Sequence, residues 1–526
     1  MVHSVMTHQF SSAPTVGISR SKFDRSCGYK TTFDSGYVVP FYCDEVLPGD
    51  TFDVNATLFL RETTQIVPIM DNISVTTFFF FVPNRLVWEH WQNFCGEQDE
   101  PGDSIDYLVP QVSAPSDGFS VGSIFDYLGI PVNVPNIKVN SLPFRGINLI
   151  YNEWFRDENL IDKLKVNMSD AGDVPSDFNL FRRGKRYDYF TSSLPWPQKG
   201  PGVELPLGVA APVRFLDGDY ANGITTQSII KNSQIWSSSS IPVGQDGSIS
   251  GHNWSGSGVA IPLHGSAVAD LSTATAATIN SLRQAFTLQA FYEQWARGGT
   301  RYTEIIRSFF HVVSPDARLQ RPEYLGGSVS RINSTPVVQT MSTDTTSPQG
   351  NLAAYTVDAS SGHGFVRSFV EHGYVFGFMC IDADLTYQQG IERMWSRRTL
   401  FDFYWPTFAH LGEQAVLNKE IYAQGNSQDD EAFGYQERYA EYRYKNSMIT
   451  GKMRSGVEGS LDVWHLSQYF SKLPTLSKDF IESNPPIKRS LAVQDEPEFL
   501  ADIYISNICI RPLPLYGVPA TIGRYM

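Results

Sequence analysis

Cysteine is scarce in this chain: 526 residues hold five, Cys27, Cys43, Cys95, Cys380 and Cys509. Their number is odd and none stands at CxxC spacing, which argues against a disulfide scaffold or a zinc knuckle and for a compartment that keeps thiols reduced. Charge is sparse as well, at 18% of residues, and positive charge is the scarcer kind, with 41 Lys and Arg against 55 Asp and Glu and a net charge of -14. A surface that neutralises nucleic acid unaided needs clustered Lys and Arg at the phosphates, so a chain of this charge that encloses nucleic acid needs a separate basic partner. No apolar run approaches the roughly 18 residues of a membrane helix, and MVHSVMTHQFSSAP lacks the regions of a signal peptide, so neither membrane insertion nor signal-peptide secretion is expected. Catalytic signatures are missing too. The nearest P-loop candidate, Gly451-Lys452, continues with Met453; Gly362 and Gly364 form a bare GxG read as a turn; HExxH and GxSxG do not occur. No catalytic residue, metal or cofactor is assigned.

What is present is Gly, Pro and aromatic residues: 41 Gly, 31 Pro and 13% aromatics, with 42% hydrophobic residues, describe an ordered protein of strands joined by elaborate loops. Phe52, Val54, Ala56, Leu58 and Leu60 alternate with Asp53, Asn55, Thr57, Phe59 and Arg61, which predicts a half-buried strand. ISVTTFFFFVP, from Ile73, is its candidate partner and reads as a strand covered on both faces. Leu86, Val87, His90, Trp91 and Phe94 continue as a helical stripe, 102–143 reads as loop, and a helix follows with Ile147, Ile150, Tyr151 and Trp154 inward. VRSFVEHGYVFGFMCIDADL predicts a strand in which Gly377 allows a bulge or close backbone approach. After it, Trp395, Phe401, Phe403, Tyr404, Trp405 and Phe408 supply large anchors. Ile503, Ile505 and Asn507 alternate with Tyr504, Ser506 and Ile508 in a terminal strand. No repeat period appears, and an eight-stranded antiparallel jelly-roll β-sandwich with long inter-strand insertions containing helices fits best.

The longest helical signal lies in 281–327. Leu282, Ala285, Phe286, Leu288, Phe291, Tyr292, Trp295 and Ala296 cover more than half of a helical wheel, which predicts burial on most sides. Gly298-Gly299 ends that helix, and a second follows with Tyr302, Ile305, Ile306, Phe309 and Phe310 on one stripe, stopped by Ser314-Pro315. The two form a clamp over the edge or end of a sheet.

Three further patterns stand out. Arg182, Arg183, Lys185 and Arg186 cluster beside Tyr187, Tyr189 and Phe190, an interleaving that can hold single-stranded DNA, although four cations are few and a solvated loop or a subunit contact is the more ordinary reading. Between 232 and 281 the only charged residues are Asp246 and Asp270, while Trp236, Trp254 and aliphatic residues recur, so about 202–277 reads as a structured surface insertion rather than a disordered linker. Asp382-Ala-Asp384 can share a divalent cation, yet Asp at a strand end is more often a turn former. His363 and His372 stand near Glu371 and are read as ordinary hydrogen-bonded histidines.

Long segments carry a resemblance. FYEQWARGGTRYTEIIRSFFHVVSPDARLQRPEYLGG, MDNISVTTFFFFVPNRLVWEHWQNFCGE, YFTSSLPWPQKG and FGYQERYAEYRYKNSMITGKMRS resemble the matching segments of major capsid proteins in the gokushovirus branch of the Microviridae, small phages with circular single-stranded DNA. The resemblance spans nearly the whole chain and thins only in the insertion. It implies a single jelly-roll capsid domain over 1–526, with an N-terminal arm (about 1–50), the insertion (about 202–277) and an extended C-terminal tail (about 511–526). It also implies a virion protein, assembled in the bacterial cytoplasm as a sixty-copy T=1 shell around single-stranded DNA. An internal scaffolding protein and a small basic DNA-binding protein are the implied partners, and the insertion, through Trp236 and Trp254 among others, is a candidate contact with a host surface receptor. The rival readings from residues alone are a carbohydrate-active or carbohydrate-binding β-sandwich protein, supported by the aromatics and by Asp382 with Asp384, and a lectin-like adhesin.

Overall fold

The computed structural model describes residues 19–98, 100–104, 106–203, 279–311, 320–341, 343 and 349–516, side chains at 279, 280, 302 and 303 apart, and the backbone of Val213–Phe215 and Ala267–Ala269. The chain forms two compact units, one of Met1–Lys199 with Gln294–Met526, the other Gly200–Glu293.

The first unit is built on an antiparallel sheet. Its strands before the insertion are β1 (Ser21–Asp24), β2 (Cys27–Phe33), β3 (Val39–Val46), β4 (Thr51–Glu62) and β5 (Ile73–Pro83). A small hairpin of β6 (Gln111–Ser113) and β7 (Lys138–Asn140) and a short helix, Ile124–Tyr127, interrupt the segment expected as loop. In the second unit β8 (Val213–Phe215) pairs with β9 (Ala267–Ala269). The sheet resumes with β10 (Glu323–Gly326), β11 (Val329–Val338), β12 (Leu352–Ser368) and β13 (Gly373–Ala383); β14 (Glu413–Leu417) and β15 (Ala432–Glu437) form a separate hairpin, and β16 (Phe499–Arg511) completes the set. The main order is β1-β16-β4-β12-β11-β5-β13-β3, with β2 also on β16 and β10 also on β5, ten strands among the described residues.

The sheet turns on β11, whose residues 329–332 pair with β5 while 333–338 pair with β12. The two halves therefore curl toward each other and share one core: Phe52, Val54 and Leu58 of β4 and Ile503 and Ile505 of β16 pack in the same cluster as Val75, Phe79 and Phe81 of β5 and Val375 and Met379 of β13. Each such side chain, fully buried, is worth about 1.5–3 kcal/mol. β4 alternates buried and exposed along its length, as its sequence predicts. β5 is covered on both sides, because Phe80 and Val82 on its outer face, with Phe376 and Phe378 of β13, pack beneath the helix Leu142–Ile150 through Ile147, Ile150 and Tyr151. This is the mainly β, antiparallel sandwich with helical insertions read from the sequence.

Several expectations are corrected. The segment expected as an N-terminal arm supplies β1, β2 and β3 from Ser21 onward, and the first and last described strands lie side by side: β1 and β2 both pair with β16. β4 pairs with β12 and β16 rather than with β5, since a pattern of alternation fixes which face is buried but not which strand lies alongside. The stripe from Leu86 to Phe94 is broken into one 3₁₀ turn, Asn84–Leu86, and one helical turn, Trp91–Phe94. The helix Leu142–Ile150 passes into a π turn, Tyr151–Phe155, which swings Trp154 outward, and its indole N–H donates to the Pro322 carbonyl at 3.0 Å.

At Gly377 the register of β13 against β3 shifts, and a Cβ there would lie 2.8 Å from the Phe79 ring and 3.0 Å from Tyr42 Cβ, so the bulge and the close approach are both present. The Gly362–Gly364 pair is a bulge inside β12 rather than a turn, with Gly362 at φ +85° and a Cβ at Gly364 falling 2.0 Å from the Val54 carbonyl oxygen.

The long helix Ile279–Arg297 ends at Gly298-Gly299 as expected, Gly299 taking φ +98°. The second helix, Tyr302–Phe310, stops at His311 in the left-handed conformation; Ser314 and Pro315 lie outside the described residues. The corner does not clamp the main sheet. Arg297 reaches Glu413 and Glu437 on the β14–β15 hairpin, and Arg301 donates to the Asn152 carbonyl and pairs with Glu158 in the stretch after the π turn. Burial on most sides of the long helix is not found: Phe286, at 66% exposure, Leu288 and Phe291 are open in the isolated chain, and Ala296 is buried.

Candidate interaction surface

The four clustered cations all have protein partners. The Arg182 guanidinium lies 4.0 Å over the Tyr37 ring and donates to the Ser483 carbonyl at 2.9 Å and Asn484 Oδ1 at 3.1 Å. Arg183 donates to Asp382 Oδ2 at 3.0 Å and to Thr76 Oγ1 at 3.3 Å. Lys185 Nζ donates to the Phe480 carbonyl and sits 4.6 Å above that residue's ring; burial pulls its pKa down to about 8. Arg186, about half exposed, donates to Ser74 Oγ at 2.7 Å and stands 3.8 Å from Asp384. Together they fasten the segment 182–186 to the start of β5, the end of β13 and the stretch 480–484.

This also places the two aspartates. Asp382 is buried and accepts from Arg183 and from Ser483 Oγ at 2.5 Å; Asp384 accepts from Asn72 at 2.8 Å. Among the described residues no group of three or more His, Cys, Asp or Glu side chains converges as a metal site requires. His363 is buried between Thr77 Oγ1 at 2.9 Å and Ser360 Oγ at 3.1 Å, and burial holds its pKa below the usual value. Glu371 pairs with Arg85 rather than with a histidine. Trp236 and Trp254 lie outside the described residues.

The feature that the sequence flagged only as a run of anchors is an exposed aromatic surface of the first unit. Short 3₁₀ turns, Arg393–Ser396, Leu400–Asp402 and Pro406–Phe408, separated by extended residues, leave this stretch no regular element with which to bury its rings. Trp395 is 74% exposed and Phe401 61%, and Leu400, Phe403, Tyr404 and Trp405 are exposed beside them, as are Tyr442, Tyr444 and Met448 from a second loop. The rings are nonetheless fixed in place. Phe401 meets Phe408 edge-on at 5.8 Å, Tyr404 meets Tyr439 at 5.0 Å, and the Trp405 indole donates to the Leu400 carbonyl at 3.0 Å. Thr399 and Asp402 close a capping box around the middle turn.

Four of the cations that run through or beside this belt are paired. Arg393 holds Glu420 at 3.0 Å, Arg397 holds Glu441 at 3.2 Å and lies 4.3 Å over the Tyr442 ring, Arg443 pairs with Glu437 and Lys445 with Glu392. A rigid aromatic surface on which most cations are already paired suits a packed protein contact better than a phosphate backbone, which recruits open cations. Beside the belt lies a cleft of about 470 Å³, floored by Tyr189, Phe190 and Tyr387 and walled by Tyr442, Tyr444 and Trp395.

The comparisons agree on what kind of protein this is. The family profile described as "Capsid protein (F protein)" matches residues 11–521. The chain is similar to the capsid protein VP1 of Bdellovibrio phage phiMH2K, with 50% identity covering 98% of each chain, and to that of Chlamydia phage 1, with 47% identity covering 98% of each. The capsid protein VP1 of Spiroplasma virus 4 is 37% identical over 97% of each chain.

Proposed function

The chain belongs to the capsid protein (F protein) family of phages, and from that premise we propose that it closes into a sixty-copy T=1 icosahedral shell around single-stranded DNA. It is a structural protein of the virion, not an enzyme. The observation that carries the assembly reading is the aromatic belt of 391–411 with Tyr442 and Tyr444: pre-fixed rings of this size left in water are what a subunit presents when a second subunit is to cover them. Symmetric copies bury such a belt repeatedly, so a modest free energy per contact closes a shell.

The net charge of -14 leaves the neutralisation of enclosed DNA largely to a small basic partner, with an internal scaffolding protein assisting assembly. The insertion, about 202–277, is the candidate for protrusions at the three-fold axes and for contact with a host receptor. Expression of the chain with those partners, followed by electron microscopy, tests the proposal. Closed particles of icosahedral size holding DNA are expected. A stable monomer that never associates, or one that turns over a glycan, would point to the rival β-sandwich readings.

A further inference from the structure

We propose that the cleft beside the aromatic belt receives the proline-rich segment 512–516 of a second copy of this chain. The inference rests on the shell reading above and names one of its joints.

The cleft selects its occupant by chemistry. At its floor the Tyr189 hydroxyl donates to Glu420 Oε2 at 2.8 Å, and Arg393 holds the other oxygen at 3.0 Å. The buried carboxylate is thereby satisfied from within, and the cleft offers ring faces and the flexible thioether of Met448 between charged walls in which Arg393, Arg397 and Lys445 are paired with carboxylates. About 470 Å³ is the volume of a site for a few residues rather than a single side chain.

The segment that matches is on the same chain. Past β16 the sequence runs Pro512-Leu513-Pro514-Leu515-Tyr516. Arg511 is held by Asp50 at 3.0 Å, so the segment departs from a fixed point. Leu513, Leu515 and Tyr516, the last at 78% exposure, are then left open by their own copy. Pro512 and Pro514 fix φ at alternate positions, and the Leu513 N–H donates to the Arg511 carbonyl at 2.8 Å, so the segment is restrained before docking and loses less entropy on it, while aromatic-lined grooves are the surfaces that bind proline-rich segments. Trp395 and Met394 belong both to the belt and to the cleft, so the cleft opens within the surface that a second copy would cover.

The test places the photo-crosslinking residue p-benzoylphenylalanine at Tyr516 of the full chain, mixes isotopically light and heavy subunits before assembly, and maps the crosslinked peptides in particles. Expected are light-to-heavy crosslinks onto the peptides of Trp395, Tyr444 or Met448, reduced about tenfold or more by Trp395→Ala, as loss of one buried ring of hot-spot strength implies. Crosslinks within one copy, to another face of the chain, to nucleic acid or to a basic partner protein overturn the proposal. If Trp395→Ala does not assemble, the crosslinked site in the otherwise unaltered chain decides alone. Particles without the inter-copy crosslink sink only this joint, whereas absence of particles from the unaltered chain sinks the shell reading itself.

Discussion

Two buried carboxyl groups, Glu62 and Asp382, show how buried charge is handled in this protein. Glu62, at the end of β4, accepts from Gln65 Nε2 at 2.8 Å, and Gln65 in turn accepts from Ser334 on β11, yet burial pushes the Glu62 pKa up to about 7, with the Glu498 carboxylate adding to the effect. A carboxyl raised in the fold is stable when protonated. Its cost is absent below the unfolded value, grows as pH rises through about 7, and amounts to at most about 3 kcal/mol. Glu62→Gln should therefore raise the melting temperature of unassembled subunits at pH 8 and change it little at pH 4; an equal effect at both would show that Glu62 is ionised in the fold at little cost. Asp382 is a buried carboxylate paired with Arg183. Arg183→Gln leaves it uncompensated and should cost about 3 kcal/mol of subunit stability, while Arg186→Gln, about half exposed, should cost under about 1 kcal/mol. DNA content measured in particles of both variants separates fastening from DNA contact: a salt-dependent loss of DNA in Arg186→Gln at unchanged subunit stability is the signature of phosphate contact. The sequence displayed these cations and both aspartates but not their pairing, because partners about 200 positions apart leave no local pattern.

At the scale of elements, what was legible was what local physics dictates. The alternation of β4, the double-sided burial of β5, the bulge at Gly377 and the stop at Gly298-Gly299 all follow from side-chain period, run length and backbone freedom. Strand order was not legible, since β4 meets β12 and β16 only through contacts that span most of the chain. Nor was the fate of the long helix Ile279–Arg297. Its wide apolar arc was read as core, but amphipathicity states that a face must be covered and is silent on whether the same copy covers it. Phe286→Ser should then leave the stability of the unassembled subunit nearly unchanged, within about 0.5 kcal/mol, while lowering particle yield. A loss of several kcal/mol from the isolated subunit would restore the helix to the core.

At the scale of the molecule, stability and assembly draw on different sets of aromatic residues. The rings between and behind the curled halves of the sheet, such as Phe52, Phe79 and Phe376, hold the subunit together, and β1 and β2 can join only after β16 exists, which makes the fold depend on its most distant contacts. The belt residues do nothing comparable for the isolated chain, because their faces are in water. Replacing Leu400 and Phe401 together by Ser should leave the unassembled subunit's melting temperature within a degree or two of the parent, since no core cavity forms. If the belt is a subunit contact, losing about 2 kcal/mol per subunit at its centre raises the concentration needed for assembly about thirtyfold. Light scattering against subunit concentration reads that shift directly. An unchanged threshold would mean that the belt faces something other than a second copy, and the assembly surface would then have to be sought on the outer face of β4 and β16, where Phe59, Leu500 and Tyr504 are also exposed.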